Sequence, residues 1–246
     1  MSSVRRLVKT DRWWRLETAH NGRSVGVLGD AVVVTPGSAA AGLWVGRDRS
    51  GKQLVGWLPL HDQPPPASTL LELPATISEG LSPGAAAMML PASAVLMALR
   101  GLEPHGRTGV VGDGPIAAVV EATLAQAAVA PEVWSRESAG LDLLVDASGS
   151  PARWNDALSA VVSEGTVLLL VPPWAEPTDV DLLPHLHRRS LRLVAYRWHR
   201  VNQTDEEVLR AAQRPAAAGA RRLQALELPS PSAESTDWYL FEWPGR

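Results

Sequence analysis

The chain has 246 residues and a formal net charge of −3, enough length for two unequal lobes and no basic excess of the kind that nucleic acid or an anionic membrane requires. It contains no cysteine, which excludes disulfides, thiolate nucleophiles and Cys-ligated zinc. Ten tryptophans against two tyrosines and one phenylalanine supply large apolar area with a single donor each, a composition suited to core filling or to flat-ligand and peptide contacts.

The N-terminal stretch MSSVRRLVKTDRWWRL is charged and lacks the apolar core of a secretory signal, and no uninterrupted run has the length of a membrane span. The expectation is a cytoplasmic protein. Up to about residue 60, short apolar runs (Trp13–Leu16, Val25–Leu28, Ala31–Val34, Leu43–Val45, Leu54–Leu58) alternate with the turn signals Asn21-Gly22, Pro36-Gly37 and Ser50-Gly51. That spacing predicts a small β barrel or meander. Pro64-Pro65-Pro66 then marks a loop.

Ser82-Pro83 reads as an N-cap followed by proline at the first helical position, opening a helix to Leu90. Pro91 is expected to interrupt it, with Ala92–Leu99 continuing as a second buried helix. Next comes the most informative stretch, VVGDGPIAAVV from Val110 to Val120. Gly112-Asp113-Gly114-Pro115-Ile116-Ala117 follows an apolar run and opens an apolar helix, the strand, turn and helix order in which backbone N–H groups can hold a pyrophosphate. The glycines and the small Ala117 and Ala118 equally serve a tight bend and close helix-to-strand packing without any phosphate.

LDLLVD, Leu141–Asp146, is the next strong strand, and Asp146 lies only 32 positions after Gly114. A complete doubly wound half needs about 60 residues there. The portion that normally holds adenosine is therefore expected to be missing, with Glu132–Ser135 left as a sheet edge able to take an extended peptide. Further on, Pro151–Val162 reads as an amphipathic helix, Thr166–Val171 as an apolar strand, Leu182–Arg189 as a short helix and Leu191–Trp198 as a final strand. Strands alternating with helices predict a parallel sheet.

The stretch LLELPATISEGLSPGAAAMMLPASAVLMALRGLEPHGRTGVVGDGP, with LDLLVDASGSPARWNDALSAVVSEGTVLLLV, LLPHLHRRSLRLVAY and DEEVLRAAQRPAAAG after it, resembles the medium-chain dehydrogenase/reductase superfamily of zinc-type alcohol dehydrogenases and quinone oxidoreductases, over roughly residues 70–220. The resemblance implies an α/β fold: a reduced Rossmann-like parallel sheet with a small β-rich, GroES-like remnant lobe. The corresponding division is 1–90 for the remnant lobe, 91–222 for the Rossmann-like lobe and 223–246 for a segment returning to the first lobe.

The departures matter as much. In the first lobe only His20 and His61 offer imidazoles, neither followed by Glu, and the His185/His187 pair lacks a third ligand, so no metal is expected. A ribose- or 2′-phosphate-binding residue should stand about 20 residues after the glycines, where Arg136 is available for NADPH and Glu137 for NADH. No nucleophile elbow or Walker lysine is present.

Two readings stay open. In the first, the chain is a cofactor-free accessory protein of natural-product biosynthesis, binding a peptide or pathway intermediate at Gly112, Asp113, Gly114, Pro115, Ser148, Gly149, Ser150 and Trp174; by scaffold reduction and composition it is similar to the peptide-binding accessory proteins of crocagin-type ribosomal peptide pathways. In the second it is a zinc-independent NAD(P)H oxidoreductase of quinone or enone type, with Gly112, Gly114, Ala117 and Arg136 on NADPH. Either way the resemblance implies a homodimer through Leu191–Trp198, and neither nucleic acid nor a membrane is an expected partner.

Overall fold

In the computed structural model, which describes residues 4–10, 13–19, 28–34, 41–47, 52–59, 70–148, 154–170, 183–196, 205–225 and 239–242, the alternating N-terminal runs form an antiparallel meander. Its strands are β1 (Val4–Thr10), β2 (Trp13–Ala19), β3 (Leu28–Val34), β4 (Ala41–Arg47), β5 (Gln53–Pro59) and β6 (Leu70–Leu73), paired in sequence order. On β4 to β6 the period-2 set Leu43, Val45, Val55, Leu71 and Leu73 points into the core. A four-residue helix, α1 (Ala75–Ser78), leads to α2 (Pro83–Leu102).

Helix α2 opens as its sequence dictates. Ser82 Oγ accepts the Ala85 N–H at 3.2 Å and Pro83 occupies the first turn, while Glu103 closes the other end in the left-handed region at φ 48°. The expected break at Pro91 does not occur, and the helix passes through it unbroken. Proline removes one ladder bond, to the Ala87 carbonyl, but every residue from Gly84 to Leu96 is buried, and packing on all sides holds the helix together. The division expected between residues 90 and 91 thus falls inside one helix. By length and apolarity α2 matches a membrane span, yet it lies within the core.

The rest is a five-stranded sheet built from β7 (Thr108–Val111), β8 (Glu132–Val133), β9 (Leu141–Asp146), β10 (Val161–Leu169) and β11 (Arg192–Ala195). All pairings are parallel and the order is β8-β7-β9-β10-β11. Alternate residues feed two faces. Val110, Leu143, Val145 and Leu168 join the core under α2, α3 (Pro115–Gln126) and α5 (Glu206–Ala220). Val111, Leu144 and Val167 face α4 (Trp154–Ser159), Trp134 and Leu186. Several elements are shorter than the sequence suggests: β8 has two residues instead of four, and the helix expected at Leu182–Arg189 is a single π turn, Leu183–His187.

Helix α5 also carries an internal proline. Pro215 has no N–H for the Ala211 carbonyl, and Gln126 Nε2 donates to that oxygen at 3.1 Å instead. Gln126→Leu, which leaves the carbonyl without its donor, is expected to lower stability by about 0.5–1 kcal/mol, measured as a lower urea midpoint at unchanged slope. Beyond α5 the chain returns to the first sheet: β12 (Gln224–Ala225) pairs with β13 (Tyr239–Glu242), and β13 pairs antiparallel with β3 from Tyr239↔Val34 to Glu242↔Ala31.

Candidate functional site

The glycine turn joins β7 to α3 at the carboxyl end of the sheet. Gly112 adopts φ +114°, and a Cβ there would lie 3.1 Å from both the N and the Cα of Ser148, so this glycine makes room for the protein's own backbone beyond β9. Gly114 is the N-cap of α3 with no side-chain cap. Pro115 has no N–H, which leaves Ile116 and Ala117 to supply the outward donors of the first turn. Ala117 and Ala118 are buried against the sheet.

Two neighbours close on this turn. Asp146, 4% exposed at the end of β9, accepts both the N–H (2.9 Å) and the hydroxyl (2.7 Å) of Ser148 on Oδ1, fixing the loop that abuts Gly112. Arg222, beyond α5, donates from Nη1 to the Asp113 carbonyl at 2.5 Å and from Nη2 to Glu121 Oε2 at 3.4 Å. No sequence motif announces Arg222, because its position depends on how α5 packs. Of the predicted ligand residues, Gly112, Asp113, Gly114, Pro115 and Ser148 come together here, whereas Gly149, Ser150 and Trp174 lie outside the described residues.

On the adenosine side β8 is the last strand of the sheet among the described residues. The chain runs from β8 to β9 through residues 134–140 with no helix and no third strand. Trp134 turns inward and joins the cluster of Val111, Leu141, Leu144, Leu158 and Val161 on the sheet face, its indole Nε1–H without a hydrogen-bond partner. Residues 135–138 close a tight turn: the Ser138 N–H meets the Ser135 carbonyl at 3.0 Å, and the Ser135 N–H meets Ser138 Oγ at 3.0 Å. Arg107 straps the connection, giving Nη1 to the Ala139 carbonyl at 2.6 Å and Nη2 to both Glu132 carboxylate oxygens at 2.9 and 3.1 Å. Arg136, the residue considered for a 2′-phosphate, sits on this turn 3.4 Å from Asp156.

The edge at β8 is a poor docking strand for a peptide, which corrects the expectation for Glu132–Ser135. Trp134 N–H bonds to the Val110 carbonyl at 2.9 Å, so in this parallel register only Val133 turns its own N–H and C=O outward. Pro131 has no N–H, and that of Ser135 is occupied within its turn. A two-residue edge bounded by a proline is how natural sheets prevent pairing.

The fold family's groups fit this chain unequally. Zinc does not fit, since the chain has no cysteine and, among the described residues, no three potential ligands cluster. The glycine turn has the form of a phosphate cradle, but the first mononucleotide half lacks the strand and helix that would wall an adenosine. A complete dinucleotide therefore finds only part of its site.

No protein-family model matches the chain, and no curated protein matches it. Solved structures do. A zinc-binding dehydrogenase of Sinorhizobium meliloti bound to NADP is similar with a TM-score of 0.53 at 13% identity, over 98% of this chain and 100% of that one. TarJ of Staphylococcus aureus gives 0.57 at 14% identity over 98% of both chains, and an acetophenone reductase of Geotrichum candidum in complex with NAD gives 0.58 at 12% identity, again over 98% of both. The chain thus has the fold of the zinc-binding, medium-chain alcohol dehydrogenases, with a parallel sheet of five strands.

Proposed function

We propose that the chain is a cofactor-free accessory protein of natural-product biosynthesis, holding a peptide or pathway intermediate where a dehydrogenase of this fold holds its nicotinamide and substrate. The observation that carries this reading is the direct passage from β8 to β9, with Trp134 filling the sheet face and Arg107 strapping the connection. The ligand would contact the first turn of α3 at Gly112–Pro115 and the loop after β9 at Ser148–Ser150, with Trp174 as an aromatic anchor. This is the carboxyl end of the strands, where open α/β sheets place ligands.

Titration with NADPH and NADH, read as energy transfer from tryptophan to the nicotinamide, tests the reading. No saturation is expected below about 1 mM, an affinity of roughly −4 kcal/mol. Micromolar binding that Arg136→Ala weakens would overturn it and favour the second reading, a zinc-independent NAD(P)H oxidoreductase. That alternative draws support from the glycine turn at the start of α3 and from dinucleotides bound in structures of the same fold.

A further inference from the structure

We propose that Arg222 is a latch between the glycine turn and the segment by which the chain returns to its first sheet, so that occupation of the turn changes how firmly that segment is held. Helix α5 ends hard against the start of α3. A Cβ on Gly219 would lie 2.7 Å from Val119 Cγ2, 2.8 Å from Met88 Cε and 3.0 Å from the Pro115 carbonyl oxygen, so a side chain there would push the helices apart. Past Gly219 the chain stays tight: the Arg222 N–H donates to the Gly219 carbonyl at 2.9 Å and the Leu223 N–H to that of Ala220 at 3.1 Å. Arg222 thus leaves α5 in a fixed place, and two residues later β12 begins.

The side chain joins the turn to that strand. Nη1 donates to the Asp113 carbonyl in the glycine turn, and Nη2 to Glu121 Oε2 in the second turn of α3. A cation beside the start of a helix is repelled by its dipole, so the Asp113 carbonyl and Glu121, not α3 itself, hold the guanidinium there. On the far side, Gln224 and Ala225 pair with Tyr239 and Leu240, which pair with Val34 and Val33 of β3. Arg222 thus ties the glycine turn to the strand that leads back to the first sheet. Side-chain exposures of 42% for Arg222 and 32% for Glu121 make the tie reversible, because water takes up both groups when they part. The proposed function seats its ligand on this turn, and an extended peptide offers N–H groups for the same carbonyl; one that takes it displaces Arg222. Only this last step rests on that reading.

Hydrogen exchange of the full chain, read over 112–118, over 31–34 with 239–242, and over α2 as the reference for global opening, measures the tie without any ligand. Arg222→Ala removes it. Millimolar methylguanidinium refills the space left by the side chain, with methylammonium as the control that carries charge without the planar donors. Glu121→Gln weakens the hold on Nη2 and serves if Arg222→Ala fails to fold. Leu240→Gly weakens β13 from the opposite end, and by reciprocity loosens the turn if the two are coupled.

In Arg222→Ala, exchange over both segments is expected to rise at least about tenfold relative to α2, and methylguanidinium to restore both. Glu121→Gln is expected to give a smaller rise over the same two segments. Leu240→Gly should quicken exchange over 112–118 in the native background and add nothing there in Arg222→Ala. Exchange in Arg222→Ala that is unchanged, faster at the turn alone, or faster to the same extent in α2 would overturn the latch, and so would equal rescue by methylammonium. Saturation by NADPH with the coupling intact would refute the functional reading and leave the latch standing.

Discussion

Trp134→Ala is expected to destabilise the protein by about 3–5 kcal/mol, the range for removing a large buried aromatic. In a complete doubly wound sheet the residues after the second strand form a helix that covers this face. Here the Trp134 indole takes part in that role, within a cluster that draws residues from β7, β9, β10 and α4. Truncation would leave a void in the cluster that holds Leu141, Leu144 and Leu158. Trp134→Phe separates ring volume from polarity. Because the indole N–H has no partner, losing it removes no bond, and the change is expected to cost only about 1 kcal/mol. Urea unfolding followed by circular dichroism measures both. A Trp134→Ala loss within about 0.5 kcal/mol would mean that the ring does not support the sheet.

Gly112→Val is expected to cost about 4 kcal/mol. A β-branched residue at φ +114° is strained by about 1–3 kcal/mol. Its Cβ would also press on the Ser148 backbone at 3.1 Å, adding about 1–3 kcal/mol of overpacking. This loss is independent of any ligand, so disruption of the first glycine is no evidence for a dinucleotide in this chain. The informative comparison is the melting temperature of Gly112→Val with and without NADPH. Unchanged stability of the variant, with loss of NADPH binding alone, would show that the glycine exists for phosphate.

The glycine turn and the shortage of residues between Gly114 and Asp146 were legible because both follow from spacing along the chain. So were the parallel sheet and the edge position of β8. The continuity of α2 through Pro91 was not, since local propensity favours a break and only burial on every side overrides it. Nor did spacing show that Trp134 points inward. There Trp134 carries no signal of burial in its sequence, and Arg136, at a place where the parent fold sets a ribose-binding residue, reads as a cofactor contact. The burial of one and the ion pair of the other with Asp156 depend on α4, which is distant in sequence. Arg222 on the Asp113 carbonyl was hidden for the same reason. The closing of the β8 edge needed the hydrogen-bond phase of the ladder, which composition does not encode.

The return of the chain to its first sheet affects how the molecule comes apart. Strand β13 lies after every element of the parallel sheet yet pairs with β3, and α2 packs in one contiguous core with β4 to β6 on one side and with α5 and the parallel strands on the other. Opening the parallel sheet withdraws the helices that cover the meander, and peeling β13 from β3 frees the segment anchored behind α5. The parallel half keeps a second cluster around Trp134, but every buried apolar residue described on the meander belongs to the core shared through α2. The two lobes are therefore expected to unfold as one cooperative unit, a proteolytic nick or a destabilising substitution in the meander being felt across α2.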